Sequence, residues 1–413
     1  MSIVSRFFNQ LPKAPRELEI LPHIEQLVNA RDTANAQQVI SENPALLGDL
    51  AHALILELAA AARQQGNEAV ALTLEDYLPL LDAARVHGIE QAFRAAAELD
   101  ATDDTTQSEE QYTDVPPELA DTLQRALAAQ ALYGALEQSE DLAEAATLWR
   151  SLARHPSFAS ATPEFRLAAA KSTALVLARR FEQTGDLADL DEAIDLWRSA
   201  AELSQDDPAD HLTCLTYLGH TLQARAIASP ATANADLDAA VEAYRTGWQQ
   251  AASRRKAAAA ANLANGLHAR YQLTGQAADL DEAIDRYADA RQAMPLYTRS
   301  SADVLSGQAD CLLIRYQLSN DPRNLDETIS AQRLAAQRTP PDSAGLPDRL
   351  HQLAVALTTR YDLKRDAGDL DEAIASLQAA IQLAAANSAE LHAYATALGE
   401  CMRRFYASAG LGM

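Results

Sequence analysis

The stretch Arg180-Phe181-Glu182-Gln183-Thr184-Gly185-Asp186-Leu187-Ala188-Asp189-Leu190-Asp191-Glu192-Ala193-Ile194 decides the fold, because the chain repeats it. The phrase returns as Arg270–Tyr271 with Asp279–Ile284, as Arg315–Tyr316 with Asn324–Ile329 and as Arg360–Tyr361 with Asp369–Ile374. A weaker copy runs from Arg225 to Asp236–Val241. Arg180, Arg225, Arg270, Arg315 and Arg360 are spaced 45 residues apart, and Arg404 opens a further copy after 44. A fixed period in this range marks a solenoid, in which each unit buries its apolar face against its neighbours.

Each unit reads as two helices. Alanine, leucine, glutamate, aspartate, glutamine and arginine dominate and aromatics supply only 5% of the chain, which favours helix; runs suited to strands are absent. Helix A ends at the Arg-aromatic pair, and helix B starts near Leu142, Leu190, Leu237, Leu280, Leu325 and Leu370. Asp189 with Glu192 has capping-box spacing, repeated at Asp279/Glu282, Asn324/Glu327 and Asp369/Glu372. Asp236 is followed by Ala239 in place of the glutamate, which predicts the weakest helix start in that unit. Pro156, Pro208, Pro295 and Pro340 are expected to close helix B.

The core is also periodic. Ala174, Gly219, Ala264, Ala309 and Ala354 stand six residues before the arginines, and Leu177, Leu222, Leu267, Leu312 and Leu357 stand three before. Small residues let helices approach closely, and the leucines on the same face fill the seam. On helix B the matching large position holds Trp149, Trp197, Tyr244, Tyr287, Gln332 or Leu377, expected in the core.

Three regions follow from this reading. Residues 1–99 are helical without a clear copy of the phrase and are expected to be divergent hairpins that cap the array. Residues 100–117 are polar, acidic and poor in core residues, which predicts a linker or loop. Residues 118–413 form the array, ending in an A-type helix over Ala389–Tyr406.

A formal charge of −24 argues against a nucleic-acid backbone or an anionic membrane as partner. Leu46–Ala62 is the most apolar run, but Asp49, His52 and Glu57 interrupt it, so it reads as a buried helix. Met1–Pro12 lacks the apolar core of a signal peptide. Cys214, Cys311 and Cys401 are far apart and odd in number, which suits a reducing, cytoplasmic compartment without a disulfide framework. His220 and His268 lie on adjacent units and not on one helical turn, so no metal site is expected. Phosphate-binding loops and a nucleophile elbow are absent, and no cofactor or catalytic residue is assigned.

Tyr217-Leu218-Gly219-His220-Thr221-Leu222, with Ala240 in helix B and closing prolines in several units, resembles the tetratricopeptide (TPR) repeat. The period is longer than the 34 residues of that repeat, and Leu222 and its counterparts replace a tyrosine. The Arg-Tyr…Thr-Gly…Asp-Leu-Asp-Glu-Ala-Ile phrase is similar to a long-loop TPR subtype found with CHAT domains, which are caspase-like proteases; any such protease would be a separate chain. The resemblance implies an all-α, right-handed α-solenoid whose A helices line a concave groove for a peptide or protein. Carried over residue by residue, the groove positions are Lys171, Thr216, His220, Gln223, Asn265, His268, Ser306, Asp310, His351 and Thr358.

The arginine ladder, Arg180, Arg225, Arg270, Arg315, Arg360 and Arg404, admits two readings. Guanidinium groups could line an anionic-ligand site. Alternatively each cation complements the C-terminal end of helix A and faces the acidic start of a neighbouring helix B, which is the reading preferred here. The functional expectation is an interaction scaffold or adaptor, with a self-associating homo-oligomeric solenoid as the alternative.

Overall fold

The computed structural model describes residues 15–28, 30, 33–64, 68–94, 112–252, 255–293, 299–340, 343–384 and 389–408. The readings of Met1–Pro12, of residues 100–111 and of Pro295 lie outside these. Among the described residues the chain is all-α, with no strand. The helices are α1 (Pro15–Val28), α2 (Thr33–Glu42), α3 (Asp49–Gln64), α4 (Glu68–His87), α5 (Pro117–Leu136), α6 (Ser139–Ala153), α7 (Pro163–Thr184), α8 (Leu187–Leu203) and α9 (Pro208–Ala228). They continue as α10 (Ala233–Gln250), α11 (Lys256–Thr274), α12 (Ala277–Ala293), α13 (Arg299–Ser319), α14 (Pro322–Arg338), α15 (Leu346–Lys364), α16 (Ala367–Leu383) and α17 (Ala389–Ser408). No described helix is long and apolar enough to cross a membrane.

The contacts divide the chain into two compact units. In Thr106–Arg286, α5 packs on α6, α7 on α8 and α9 on α10, while α6/α7, α8/α9 and α10/α11 join one hairpin to the next. In the unit formed by Met1–Thr105 and Tyr287–Met413, α13/α14 and α15/α16 are hairpins, joined by α14/α15 and continued by α16/α17. This neighbour-to-neighbour stacking is the solenoid arrangement. The helices before residue 94 share a core that includes Ile24, Ile40, Leu46, Ile55, Leu58 and Leu74, and α4 also packs on α14 within this unit. α1 runs from Pro15 through Pro22.

The quoted phrase builds the same corner in three of its copies. Thr184 Oγ1 donates back to the Arg180 carbonyl at 2.9 Å and accepts from Asp186 N at 3.3 Å. Thr274 does the same between Arg270 and Gln276, and Ser319 between Arg315 and Asp321. Gly185 and Gly275 follow at φ 70°, the left-handed conformation that ends a helix without a Cβ penalty. The helix-B cap then differs from expectation. Asp186 is the N-cap of α8 and accepts from Ala188 N at 3.2 Å, so Asp189 lies inside the first turn. Asp321 and Asp366 cap α14 and α16 likewise. The capping-box reading of Asp189, Asn324 and Asp369 is therefore corrected by one turn, because their side chains are committed to the arginines. Thr232, before α10, makes no side-chain cap. Pro208 opens α9 as its first residue and does not close α8, since a proline at a helix start sacrifices no helical hydrogen bond.

The seam is buried as its spacing requires. Ala174, Ala264, Ala309 and Ala354 are fully covered, as are Leu177, Leu267 and Leu357. Trp149, Trp197, Tyr244, Tyr287, Gln332 and Leu377 are each at most 3% exposed, so none is placed for stacking a ligand. Gly219 is a close approach: an added Cβ would lie 2.4 Å from the Tyr244 ring. Tyr112, in the stretch read as linker, packs 5.9 Å from Trp149 and 6.3 Å from Phe165, and its hydroxyl is 2.8 Å from that of Ser172.

Candidate functional site

The charged phrase is a structural brace with three kinds of strut. Its first acid binds the arginine of its own unit in a fork: Arg180 to Asp189, Arg225 to Asp236, Arg270 to Asp279 and Arg360 to Asp369. Its second acid takes the next unit's arginine: Asp191 from Arg225 at 2.7 Å, Asp238 from Arg270 at 3.0 Å, and Asp326 from Arg360 at 3.0 Å. Its glutamate takes an arginine from the preceding helix B: Glu192 from Arg150 at 2.6 Å, Glu282 from Arg245 at 2.7 Å, and Glu372 from Arg333 at 2.7 Å. The first acids are at most 4% exposed, so the fork meets the demand that a buried charge be paired. Burial pulls the Asp236 carboxyl up, but the hydrogen bonds from Arg225 and Thr232 outweigh it and hold it below the usual carboxylate range.

Two rungs depart from this pattern. Arg315 meets an amide, donating Nε to Asn324 Oδ1 at 3.0 Å. A cleft of about 370 Å³ adjoins this rung, lined by Arg315, Ser319, Asp321, Arg323, Asn324 and Glu327. Arg404 reaches back to Asp362 at 3.2 Å, with no further phrase after it.

The groove positions fall on α7, α9, α11, α13 and α15. In the unit Thr106–Arg286, Lys171 Nζ bonds Asp210 of α9 at 3.1 Å. Gln223 Oε1 accepts from the Tyr244 hydroxyl at 2.6 Å, and the exposed His220 lies 5.7 Å from the same Tyr244 ring. Burial pushes the Tyr244 phenol well above its ordinary value. Thr216 is half-buried and Asn265 exposed. His268 Nε2 accepts from Gln272 Nε2 at 3.1 Å, and burial lowers its pKa.

In the other unit, His351 packs 5.1 Å from the Tyr394 ring; burial lowers its pKa against the opposing pull of Asp348. Thr358 turns inward, donating to the Ala354 carbonyl at 2.7 Å with its hydroxyl 3.2 Å from Cys401 Sγ. Ser306 and Asp310 join a cluster that spacing alone did not reveal. Ser306 Oγ donates to Gln352 Oε1 at 3.2 Å, and Gln332 Nε2 donates to Gln352 Oε1 at 3.1 Å and to Asp310 Oδ1 at 3.3 Å. Burial raises the Asp310 carboxyl to about 6. The missed signal was Gln332, the one amide in a column of aromatic and aliphatic core residues.

Among the described residues, no group of three His, Cys, Asp or Glu side chains is placed to hold a metal ion. Cys214, Cys311 and Cys401 are buried and unbridged, and burial pushes the Cys311 thiol up to about 12, away from the reactive thiolate.

No family model matches the chain, and neither does any curated protein. Among solved structures, the TPR2AB domain of yeast Sti1 in its pHSP90 complex is 15% identical, with 69% of this chain and 97% of that chain covered and a TM-score of 0.23. The human IFIT1 dimer with PPP-AAAA is 12% identical, with 91% and 96% covered and a TM-score of 0.21. The solenoid assignment rests on the chain's own repeats and helix pairing.

Proposed function

We propose that the chain is a TPR-like scaffold that binds a peptide or protein surface along its A helices, without catalysis. One contrast carries this reading. The residues six and three before Arg180, Arg225, Arg270, Arg315 and Arg360 are small or leucine and buried, whereas the residue five before is Leu175, His220, Asn265, Asp310 or Val355, each half-buried or exposed. A constant inner face beside an outer face that changes from unit to unit suits a rigid frame presenting a varied reading surface. The charge of −24 favours a partner other than a polyanion, and the buried unbridged cysteines suit a cytoplasmic setting. An adaptor acting on a separate effector, such as a CHAT protease, is the finer form of the same reading.

The test is a pull-down with the full chain, with solution mass measured by light scattering. The control is the variant Thr216→Ala, His220→Ala, His268→Ala, whose far-UV circular dichroism and melting should match the parent. A stoichiometric partner captured by the parent and lost by the variant supports the proposal. Capture that survives the substitutions sinks the groove assignment. A concentration-dependent mass without a partner moves the reading to self-association, to which the exposed Met402 and Phe405 of α17 would contribute.

A further inference from the structure

The cluster on α13, α14 and α15 leaves buried hydrogen-bond acceptors unmet. Gln332 is 1% exposed, and both of its amide protons are used, one on Asp310 and one on Gln352. Its Oε1 is buried and accepts no hydrogen bond from the described residues. Gln352 Oε1 is already shared between Ser306 and Gln332. Asp310 receives the single long bond from Gln332, and no described cation pairs with it. Core amides that lack a partner are costly, and the same helix-B column is filled elsewhere by Trp197, Tyr244, Tyr287 and Leu377. The unit thus gives up an apolar plug for a polar floor, Gln332, beneath two half-buried rim residues, Asp310 and Gln352.

We propose that Asp310, Gln332 and Gln352 form a recognition site for a lysine or arginine side chain of the bound peptide. This rests on the peptide-binding reading above and adds the ligand chemistry. The complement of an unmet amide oxygen and a carboxylate without a cation is a group that is all donor and positively charged, which describes ammonium and guanidinium. An acidic side chain would meet Asp310 with like charge and bring no donor. The upward displacement of the Asp310 carboxyl agrees with a site that has no cation of its own.

The test uses the full-length chain and fluorescence anisotropy with three pools of terminally blocked nonapeptides. Their central residue is lysine, Nε-acetyllysine or glutamate, and their flanks are random uncharged residues. The lysine pool should bind about tenfold more tightly than the acetyllysine pool, the size of one charge-assisted contact. Asp310→Asn should erase that preference. Asp371→Asn removes an exposed acid outside the cluster and should leave it intact. Gln332→Leu, which copies the residue at Leu377, should reduce it several-fold and provides a second, apolar-core variant. Equal binding of the lysine and acetyllysine pools, or equal effects of the two aspartate variants, overturns the site while leaving a peptide groove standing. Failure of every pool to bind at about 1 mM overturns both readings. Asp310-dependent binding of spermidine without any pool binding would identify a free-amine site and overturn the peptide assignment.

Discussion

Arg270 donates two parallel hydrogen bonds to Asp279, Nε to Oδ2 at 2.8 Å and Nη2 to Oδ1 at 2.7 Å, and a third from Nη1 to Asp238 of the preceding unit at 3.0 Å. One guanidinium thus closes its own hairpin and ties that hairpin to the one before. A planar, forked cation is suited to do both, as Arg225 and Arg360 also do.

Removing that cation should be far worse than removing the pair. Arg270→Met leaves Asp279, 4% exposed, without its fork and should cost about 3–5 kcal/mol, the usual result of breaking a buried pair from one side. Arg270→Met with Asp279→Leu should recover most of the loss. Urea unfolding of the two variants decides; a single-variant cost below about 1 kcal/mol would class the fork with surface ion pairs.

Gly219 should resist even alanine. Its missing Cβ leaves room for the Tyr244 ring, whose Cε1 would otherwise sit 2.4 Å from the new atom. Gly219→Ala should destabilise by about 1–3 kcal/mol through overpacking. Adding Tyr244→Leu should return part of this, because Ala354 and Leu377 occupy the equivalent positions in the last complete unit. The melting temperatures of the two variants measure the recovery; equal losses would show that Tyr244 is not the obstacle.

The period, the helix pairing and the buried seam were legible because each is written into the chain several times, as with Leu177, Leu267 and Leu357. The cap was misplaced because Asp186 and Asp189 both suit a helix start, and spacing cannot tell which carboxylate caps and which binds Arg180. The order of the struts was hidden for the same reason: Asp189, Asp191 and Glu192 are all acids, and only their directions around the first turn assign them to different units. Tyr112 escaped because its acidic, threonine-rich surroundings outweighed a single aromatic anchor. The Asp310 cluster needed three helices in contact before Gln332 became more than an odd member of its column.

Asp310 should make the protein less stable as pH rises. Its carboxyl is raised to about 6 from an ordinary 3.8, so between those values the folded chain holds a proton that the unfolded chain has released. Stability is therefore lost as pH rises through this window and is not regained above it. Asp310→Asn escapes the effect. It should be more stable than the parent at pH 7.5 by about 1–3 kcal/mol, with the difference closing toward pH 4. Paired denaturant titrations at the two pH values check this; a gap that is constant with pH would remove the linkage to Asp310.

Ala239 marks a strut that can be restored. Arg150, Arg245 and Arg333 reach forward to Glu192, Glu282 and Glu372, but Arg198 faces a unit whose corresponding residue is alanine. Its side chain is 52% exposed and its hydrogen bond goes to Asp195, one turn back on its own helix, at 3.4 Å. The Arg198 charge helps hold the Asp236 carboxyl low, and residue 239 stands one turn along α10 from Asp236, the place from which Glu192, Glu282 and Glu372 take their arginines. Ala239→Glu should stabilise by about 0.3–1 kcal/mol at low salt, the range of a partly exposed pair, and less as salt screens it. Arg198→Ala should abolish the gain without much effect in the parent. A double-mutant cycle in urea at two salt concentrations measures the coupling; a gain that survives Arg198→Ala would belong to the helix dipole and not to the strut.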